Sequence, residues 1–415
     1  MTATLPNLAV LSIGNELLCG EIVDTNAAHI EARLFARGFR VRETKSVPDE
    51  RAAIAEALLF LARRNAAVIV TGGLGPTEDD LTAAAAADAA GTTLASRPEA
   101  LAHLQAFARR MNRQLHAENE RQTFLPQTAR LLDNPLGTAL GFAVAIEAAT
   151  AYFMPGVPYE MERILEDSVI PALIEAFGDP GALPRRVLKL FGLPEAEAGA
   201  LIKGIQLPPG VELAYCFKFP EVHIILRGVP ESSAAVDAAQ ALVRERVGEY
   251  LIAEDEDTID EVLARLFLET GATLSLAESC TGGLIAARIT ARAGSSAYFL
   301  EGAVTYSNAA KSRLLRVPAE LIEAKGAVSA EVARAMAQGA RLNSGSTLAL
   351  SVTGIAGPDG GTPEKPVGTV YIALADAADC EARGYLFPGD RERVRVFTTY
   401  TALNLLRRRL LTLKG

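Results

Sequence analysis

Short apolar runs, each leaving through a loop into a helix-like segment, recur along this chain, and that alternation limits the folds open to it. Leu8-Ala-Val-Leu-Ser-Ile ends at Gly14, and a helix-like Ala27 to Ala36 follows. Ala67-Val-Ile-Val runs into Thr71-Gly-Gly-Leu-Gly-Pro-Thr-Glu-Asp-Asp, then into an alanine-rich segment from Leu81 to Ala90. Gly271-Ala-Thr-Leu-Ser-Leu-Ala runs into Glu278-Ser-Cys-Thr-Gly-Gly283, then into Leu284-Ile-Ala-Ala-Arg-Ile-Thr. Strands alternating with helices predict an α/β protein with a parallel, doubly wound sheet, in which ligands sit where loops leave the carboxyl ends of strands.

At 415 residues the chain exceeds one ordinary core. The run Gly178-Asp-Pro-Gly-Ala-Leu-Pro184 reads as a break. The expected division is a doubly wound domain over 1–178, a small α+β module over 179–252 and a second α/β domain over 253–415. A hydrophobic content of 49% is ample for packed layers. A net charge of −9, with no tryptophan and few aromatics, argues against nucleic-acid binding. Cys19, Cys216, Cys280 and Cys380 are far apart and form no CxxC pair, so reduced thiols in the cytoplasm are the expectation. No signal peptide and no apolar run of spanning length is evident.

Ser279 carries the strongest chemical signal. A serine between a strand and a helix stands where backbone N–H groups can hold an oxyanion or a phosphate. Its hydroxyl needs a base. The last histidine is His223, so a Ser-His-Asp arrangement within this domain is excluded. Lys311 can act as base if its surroundings lower its pKa, and Tyr306 could orient it or donate to substrate. Each also has an ordinary explanation: helix cap, solvated lysine, packed tyrosine. Two further strand-end loops, Thr353-Gly-Ile-Ala-Gly-Pro-Asp-Gly-Gly361 and Phe387-Pro-Gly-Asp-Arg391, tip the reading toward a phosphorylated small molecule.

Near the N-terminus, Glu16 and Asp24 lie just beyond the first strand. Asp79 and Asp80 open the helix after the Gly72-Gly73-Leu-Gly75-Pro-Thr77 loop. The loop lacks the third glycine of a dinucleotide fingerprint and the Gly-Lys-Ser/Thr of a P-loop. Helix capping and a hydrated divalent cation suit the paired aspartates equally well.

Residues 258–415 resemble the C-terminal domain of the CinA (competence/damage-inducible protein A) family. The resemblance is carried by Ala277-Glu-Ser-Cys-Thr-Gly-Gly, Gly294-Ser-Ser, Val304-Thr-Tyr-Ser-Asn, Gly326-Ala-Val-Ser, Ser351-Val-Thr-Gly-Ile-Ala-Gly-Pro-Asp-Gly-Gly, Lys365-Pro-Val-Gly-Thr-Val and Phe387-Pro-Gly-Asp-Arg. It implies a nicotinamide mononucleotide (NMN) amidohydrolase without a cofactor, giving nicotinate mononucleotide and ammonia in pyridine nucleotide salvage. Ser279 would be the nucleophile, Lys311 its base and Tyr306 a supporting catalytic group. Ser296, Thr281, Gly282, Thr353, Gly354 and Arg391 would bind substrate.

The N-terminal motifs, with Asn134-Pro-Leu-Gly-Thr-Ala-Leu-Gly-Phe142 and Met154-Pro-Gly-Val-Pro-Tyr-Glu-Met161, resemble the molybdopterin-binding-like domain of full-length members. This implies an ADP-ribose pyrophosphatase that yields AMP and ribose 5-phosphate with magnesium, manganese or cobalt, and potassium as a further cation. Asp80, with Glu16, Asp24 and Asp79, would hold the metal; Gly72, Gly73, Gly75 and Thr77 would cradle the pyrophosphate. A pterin ligand is the alternative there. The middle module resembles the family's KH-type unit but has no Gly-x-x-Gly loop, so a spacer or homodimer contact is expected rather than RNA binding. The competing function is a non-catalytic adaptor that binds a recombination protein in competence or DNA-damage response.

Overall fold

The computed structural model describes residues 6–112 and 114–414. The chain divides into two compact units between Leu183 and Pro184.

The first unit is built on strands β1 (Asn7–Ile13), β2 (Arg40–Val47), β3 (Ala67–Thr71), β4 (Leu94–Ser96), β5 (Phe124–Pro126), β6 (Arg130–Leu132), β7 (Gly141–Ile146) and β8 (Ala149–Met154). Six of them form a sheet in the order β2-β1-β3-β8-β7-β6, and β4 and β5 make a separate ribbon. β1, β2, β3 and β8 run parallel, and β7 and β6 close one edge antiparallel. β1 and β3 are covered on both faces and are therefore almost wholly apolar, whereas edge strand β2 is mostly polar.

Alternate residues of β1 serve opposite cores. Leu8 and Val10 pack with Ile30 and Leu34 of helix Thr25–Ala36 and with Met161 and Ile164 of helix Pro158–Ile164. Ala9, Leu11 and Ile13 pack with Ile54 and Leu58 of helix Arg51–Ala62 and with Ala85 of helix Thr82–Ala89. This is the doubly wound α/β layering that the sequence predicts.

The second unit carries two sheets. β9 (Arg185–Leu190), β10 (Val211–Lys218), β11 (Glu221–Gly228) and β12 (Leu251–Glu254) form an antiparallel sheet in the order β10-β11-β9-β12. Helices Glu195–Ile202 and Ser233–Val247 share one core with it. This is the α+β module.

β13 (Leu274–Glu278), β14 (Phe299–Val304), β15 (Leu348–Gly354), β16 (Thr369–Ala375) and β17 (Cys380–Leu386) form the other sheet, in the order β14-β13-β15-β16-β17. β13 lies parallel to both neighbours; β16 and β17 are antiparallel. Helices Ile259–Thr270 and Arg391–Lys414 pack on the Leu274 and Leu276 side, and helix Ala330–Ser344 packs on the Ala277 and Ala349 side. Among the described residues, no helix is long and apolar enough to cross a membrane.

Candidate functional site

β13 delivers Ser279 to the carboxyl edge of its sheet, and the Ser279 N–H donates to the Val352 carbonyl of β15 at 3.1 Å. The neighbouring strand β14 leads to Thr305, whose N–H donates to the Glu278 carbonyl at 2.7 Å. Ser307 then caps helix Asn308–Leu315 by accepting from the Ala310 N–H. One turn into that helix, Lys311 points back into the protein.

The Lys311 ammonium donates to Ser279 Oγ at 3.0 Å and to the Thr305 carbonyl at 2.8 Å. Lys311 is 1% exposed and Ser279 8%. Among the described residues no carboxylate stands within ion-pair distance of Lys311. Burial pushes its pKa below the ordinary lysine range, with the Cys280 thiol opposing slightly. A lysine so placed gives up its proton more readily than a solvated one and touches a hydroxyl, the arrangement a Ser-Lys nucleophile requires.

The turn after Ser279 differs from the sequence expectation. The helix begins only at Leu284, and its first N–H groups are not free. The buried Glu278 carboxylate accepts from the Thr281 hydroxyl at 2.7 Å and from the N–H groups of Gly283, Ile285 and Ala286 at 3.0, 3.2 and 2.8 Å. Gly282 N–H donates to the Ser279 carbonyl and Leu284 N–H to the Thr281 carbonyl. That leaves the N–H groups of Cys280 and Thr281. Both lie beside the Cys280 sulfur, whose thiol burial pushes up to about 12. A thiol is a weak acceptor, so neither donor is spent on a strong one.

The other predicted residues fall into three places. Thr353 ends β15 with its hydroxyl donating to the Ala327 carbonyl at 2.8 Å. Gly354 has to be glycine, because a Cβ there would lie 2.7 Å from Val370 Cγ2, 2.9 Å from the Thr369 carbonyl and 3.1 Å from Cys280 Sγ. Arg391 begins the last helix, donating to the Gly357 carbonyl and to the Tyr306 hydroxyl, both at 2.7 Å. Tyr306 is 60% exposed and engages Arg391, not Lys311, so it belongs to the wall of the site. Ser296 is exposed in the short turn Ser295–Ala297, and no hydrogen bond among the described residues joins it to the Ser279 cluster. Arg395, one turn after Arg391, donates to the Thr281 carbonyl at 2.8 Å. Sequence reasoning missed both Glu278 and Arg395; their only signal was adjacency to Ser279 and the i, i+4 spacing from Arg391.

In the first unit, Gly72 has φ +108°, and a Cβ on it would lie 2.1 Å from the Ile13 carbonyl oxygen. A Cβ on Gly73 would lie 2.2 Å from Thr82 Oγ1. The Gly72 N–H is used by Met154, while those of Gly75 and Thr77 donate to Asp80 at 2.7 and 2.8 Å. Gly73 and Leu74 carry the loop's unspent N–H groups.

Asp80 accepts in addition from the Thr77 hydroxyl, and Asp24 caps helix Thr25–Ala36 through the Ala27 N–H. Asp49, which sequence reasoning did not single out, accepts from the Asn15 N–H at 2.8 Å. Burial raises its pKa, and Glu16, Asp79 and Asp80 nearby raise it further. Among the described residues no three metal-ligating side chains stand close enough together to hold an ion. As arranged here, Asp80, Glu16, Asp24 and Asp79 do not form a metal-ligand set.

Asn26 is a second missed residue. Its Nδ2 joins Thr71 Oγ1 at 3.1 Å and the Gly156 carbonyl at 2.8 Å, bridging the ends of β3 and β8. Its Oδ1 is buried and has no hydrogen-bond partner, an open acceptor beside the glycine loop.

Residues 256–410 match the family described as "CinA C-terminal domain", and residues 9–175 match "Probable molybdopterin binding domain". The chain is 60% identical over 409 residues to the CinA-like protein of Geobacter sp. (strain M21), covering 98% of each. It is equally 60% identical over 409 residues to that of Citrifermentans bemidjiense, again covering 98% of each. Among solved structures, it is similar to competence/damage inducible protein CihA from Agrobacterium tumefaciens, with 41% identity, 38% of this chain and 95% of that chain covered, and a TM-score of 0.35. The chain belongs to the CinA-like protein family.

Proposed function

We propose that the second unit hydrolyses the carboxamide of NMN to nicotinate mononucleotide and ammonia. The observation that carries this reading is the buried 3.0 Å contact between Lys311 Nζ and Ser279 Oγ, with no acid nearby to hold the lysine charged. Ser279 Oγ attacks the carboxamide carbon as Lys311 takes its proton. The carbonyl oxygen becomes an oxyanion facing the Cys280 and Thr281 N–H groups. The C–N bond breaks, Lys311 returns the proton to nitrogen, and ammonia leaves. Water then attacks the acyl ester as Lys311 takes its proton, the C–Oγ bond breaks, and Lys311 passes the proton to Oγ, restoring Ser279. Arg391, which already orders Tyr306 and the Gly357 loop, supplies charge for the substrate phosphate.

The test is ammonia and nicotinate mononucleotide release from NMN by the wild-type chain and by Ser279→Ala. Release by the wild type alone supports function and nucleophile together. Release by both discards the mechanism. Release by neither favours an adaptor role.

A second reading concerns the first unit: the Gly73 and Leu74 N–H groups of its loop suit a phosphate, and the open Asn26 Oδ1 suits a donor such as a ribose hydroxyl. Hydrolysis of ADP-ribose to AMP and ribose 5-phosphate is the activity to assay there, with chelator and with added magnesium, manganese or cobalt. AMP release unaffected by chelator would remove the metal from the reading; no AMP release under any condition would remove the reading.

A further inference from the structure

We infer that Glu278 is a positioning residue for the Ser279–Lys311 pair, an assignment that rests on the amide-hydrolysis reading. Its carboxylate claims the start of the Leu284–Thr290 helix and so reserves the Cys280 and Thr281 N–H groups for the oxyanion.

Glu278 is 1% exposed. Removing a carboxylate from water is costly unless other donors replace the solvent. Here four do: the Thr281 hydroxyl and the N–H groups of Gly283, Ile285 and Ala286. Helix capping alone does not call for so expensive an arrangement. Elsewhere in the same unit the chain caps helices with hydroxyl side chains, at Thr258, Ser307 and Ser329. What Glu278 adds is reach. One side chain spans from residue 281 to residue 286 and draws the turn into a loop around itself.

Its backbone extends the same control to the base. The Glu278 carbonyl accepts from the Thr305 N–H at 2.7 Å and from its hydroxyl at 3.4 Å, and the Thr305 carbonyl is the second seat of the Lys311 ammonium. Residue 278 therefore fixes the turn after the nucleophile through its side chain and the seat of the base through its main chain. Arg395 ties the Thr281 carbonyl from outside, so the peptide carrying the Thr281 carbonyl is held at one end by Arg395, while the Thr281 side chain is held by Glu278.

Glu278→Gln and Glu278→Asp separate reach from charge. Glutamine keeps the length but brings an NH2 group against N–H donors; aspartate keeps the charge but not the reach. With NMN as substrate, both variants are expected to lose kcat by about 100-fold, the scale of losing oxyanion donors. KM should stay within about twofold, after correction for the folded fraction read from an unfolding curve. The same samples are followed by amide hydrogen exchange. Protection at Gly283, Ile285 and Ala286 should drop by about tenfold or more in both variants, with protection in helix Arg391–Lys414 unchanged.

A Glu278→Asp enzyme within about threefold of wild-type kcat overturns the assignment, because charge alone then suffices. Unchanged protection at 283–286 overturns it whatever the activity. If the wild type releases no ammonia while exchange behaves as expected, the hydrolysis reading falls and the catalytic part of the assignment falls with it; the capping contacts alone stand.

Discussion

Lys311 reaches Ser279 across 32 residues of sequence and meets it inside the protein, Nζ to Oγ at 3.0 Å. A buried lysine whose acceptors are a hydroxyl and a carbonyl is held by geometry rather than by an opposing charge. In the proposed reaction the pair serves as base and nucleophile rather than as a stabilising contact.

Ser279→Ala should lower the rate of ammonia release from NMN by about three orders of magnitude or more, because a covalent route is then closed. Quantifying ammonia under saturating NMN checks this.

Lys311→Met should be equally damaging to turnover, and its effect on stability has a defined sign. The folded lysine has a pKa below its unfolded value of about 10.4. Between those two values the unfolded chain binds more protons, so wild-type stability rises with pH across that window. Below the folded pKa the buried charge is a penalty that methionine does not carry. The thermal midpoint of Lys311→Met should therefore exceed that of wild type most at neutral pH, with the gap narrowing toward pH 10. A gap that widens with pH contradicts the burial effect on Lys311. In the wild type, kcat/KM for NMN should rise as pH increases through the lowered pKa.

Arg391→Lys should not restore what Arg391→Ala loses. One guanidinium spans the Gly357 carbonyl and the Tyr306 hydroxyl, and a point ammonium cannot do both. An increase of about tenfold or more in KM for NMN in both variants, measured by initial rates, is the expected outcome.

Gly354→Ala would push a methyl toward the Thr369 carbonyl and Cys280 Sγ. Overpacking of this kind costs about 1–3 kcal/mol, and here the displaced atom adjoins the nucleophile. Denaturant unfolding should show the loss, together with a reduced kcat for ammonia release. Gly72→Ala is the counterpart in the first unit, strained by its φ of +108° and by the Ile13 carbonyl. It should lower the stability of that unit and leave NMN hydrolysis intact, which separate assays with NMN and ADP-ribose would show.

Local signals account for what was legible in the sequence. Helix Ile259–Thr270 carries its limits in the sequence: Thr258 and Glu261 form a capping box and Gly271 adopts the left-handed stop. β1, β3 and β13 were readable as uninterrupted apolar runs because both faces are covered. β14 was not read, since as an edge strand it is mostly exposed and carries Glu301 and Gly302. Ser279 and Lys311 were legible as residue types in a pattern. Glu278 and Asn26 were not, because their partners are set by how the chain returns after the strand: a carboxylate folded back on residues 281–286, and an amide bridging Thr71 to Gly156. Tyr306, expected to orient Lys311 or to donate to substrate, takes a hydrogen bond from Arg391, a partner 85 residues away that no local pattern announces.

Ser279 follows β13 directly and Thr305, whose carbonyl seats the base, follows β14 directly; these are adjacent strands, about 4.8 Å apart like any hydrogen-bonded pair. The Arg391 guanidinium sits instead on a loop-to-helix segment outside the sheet. On warming, such segments loosen before a sheet interior does. The molecule should thus forget how to hold its substrate before it forgets how to cut it: thermal wear falls first on affinity, and the chemical step keeps its alignment until the sheet itself gives way.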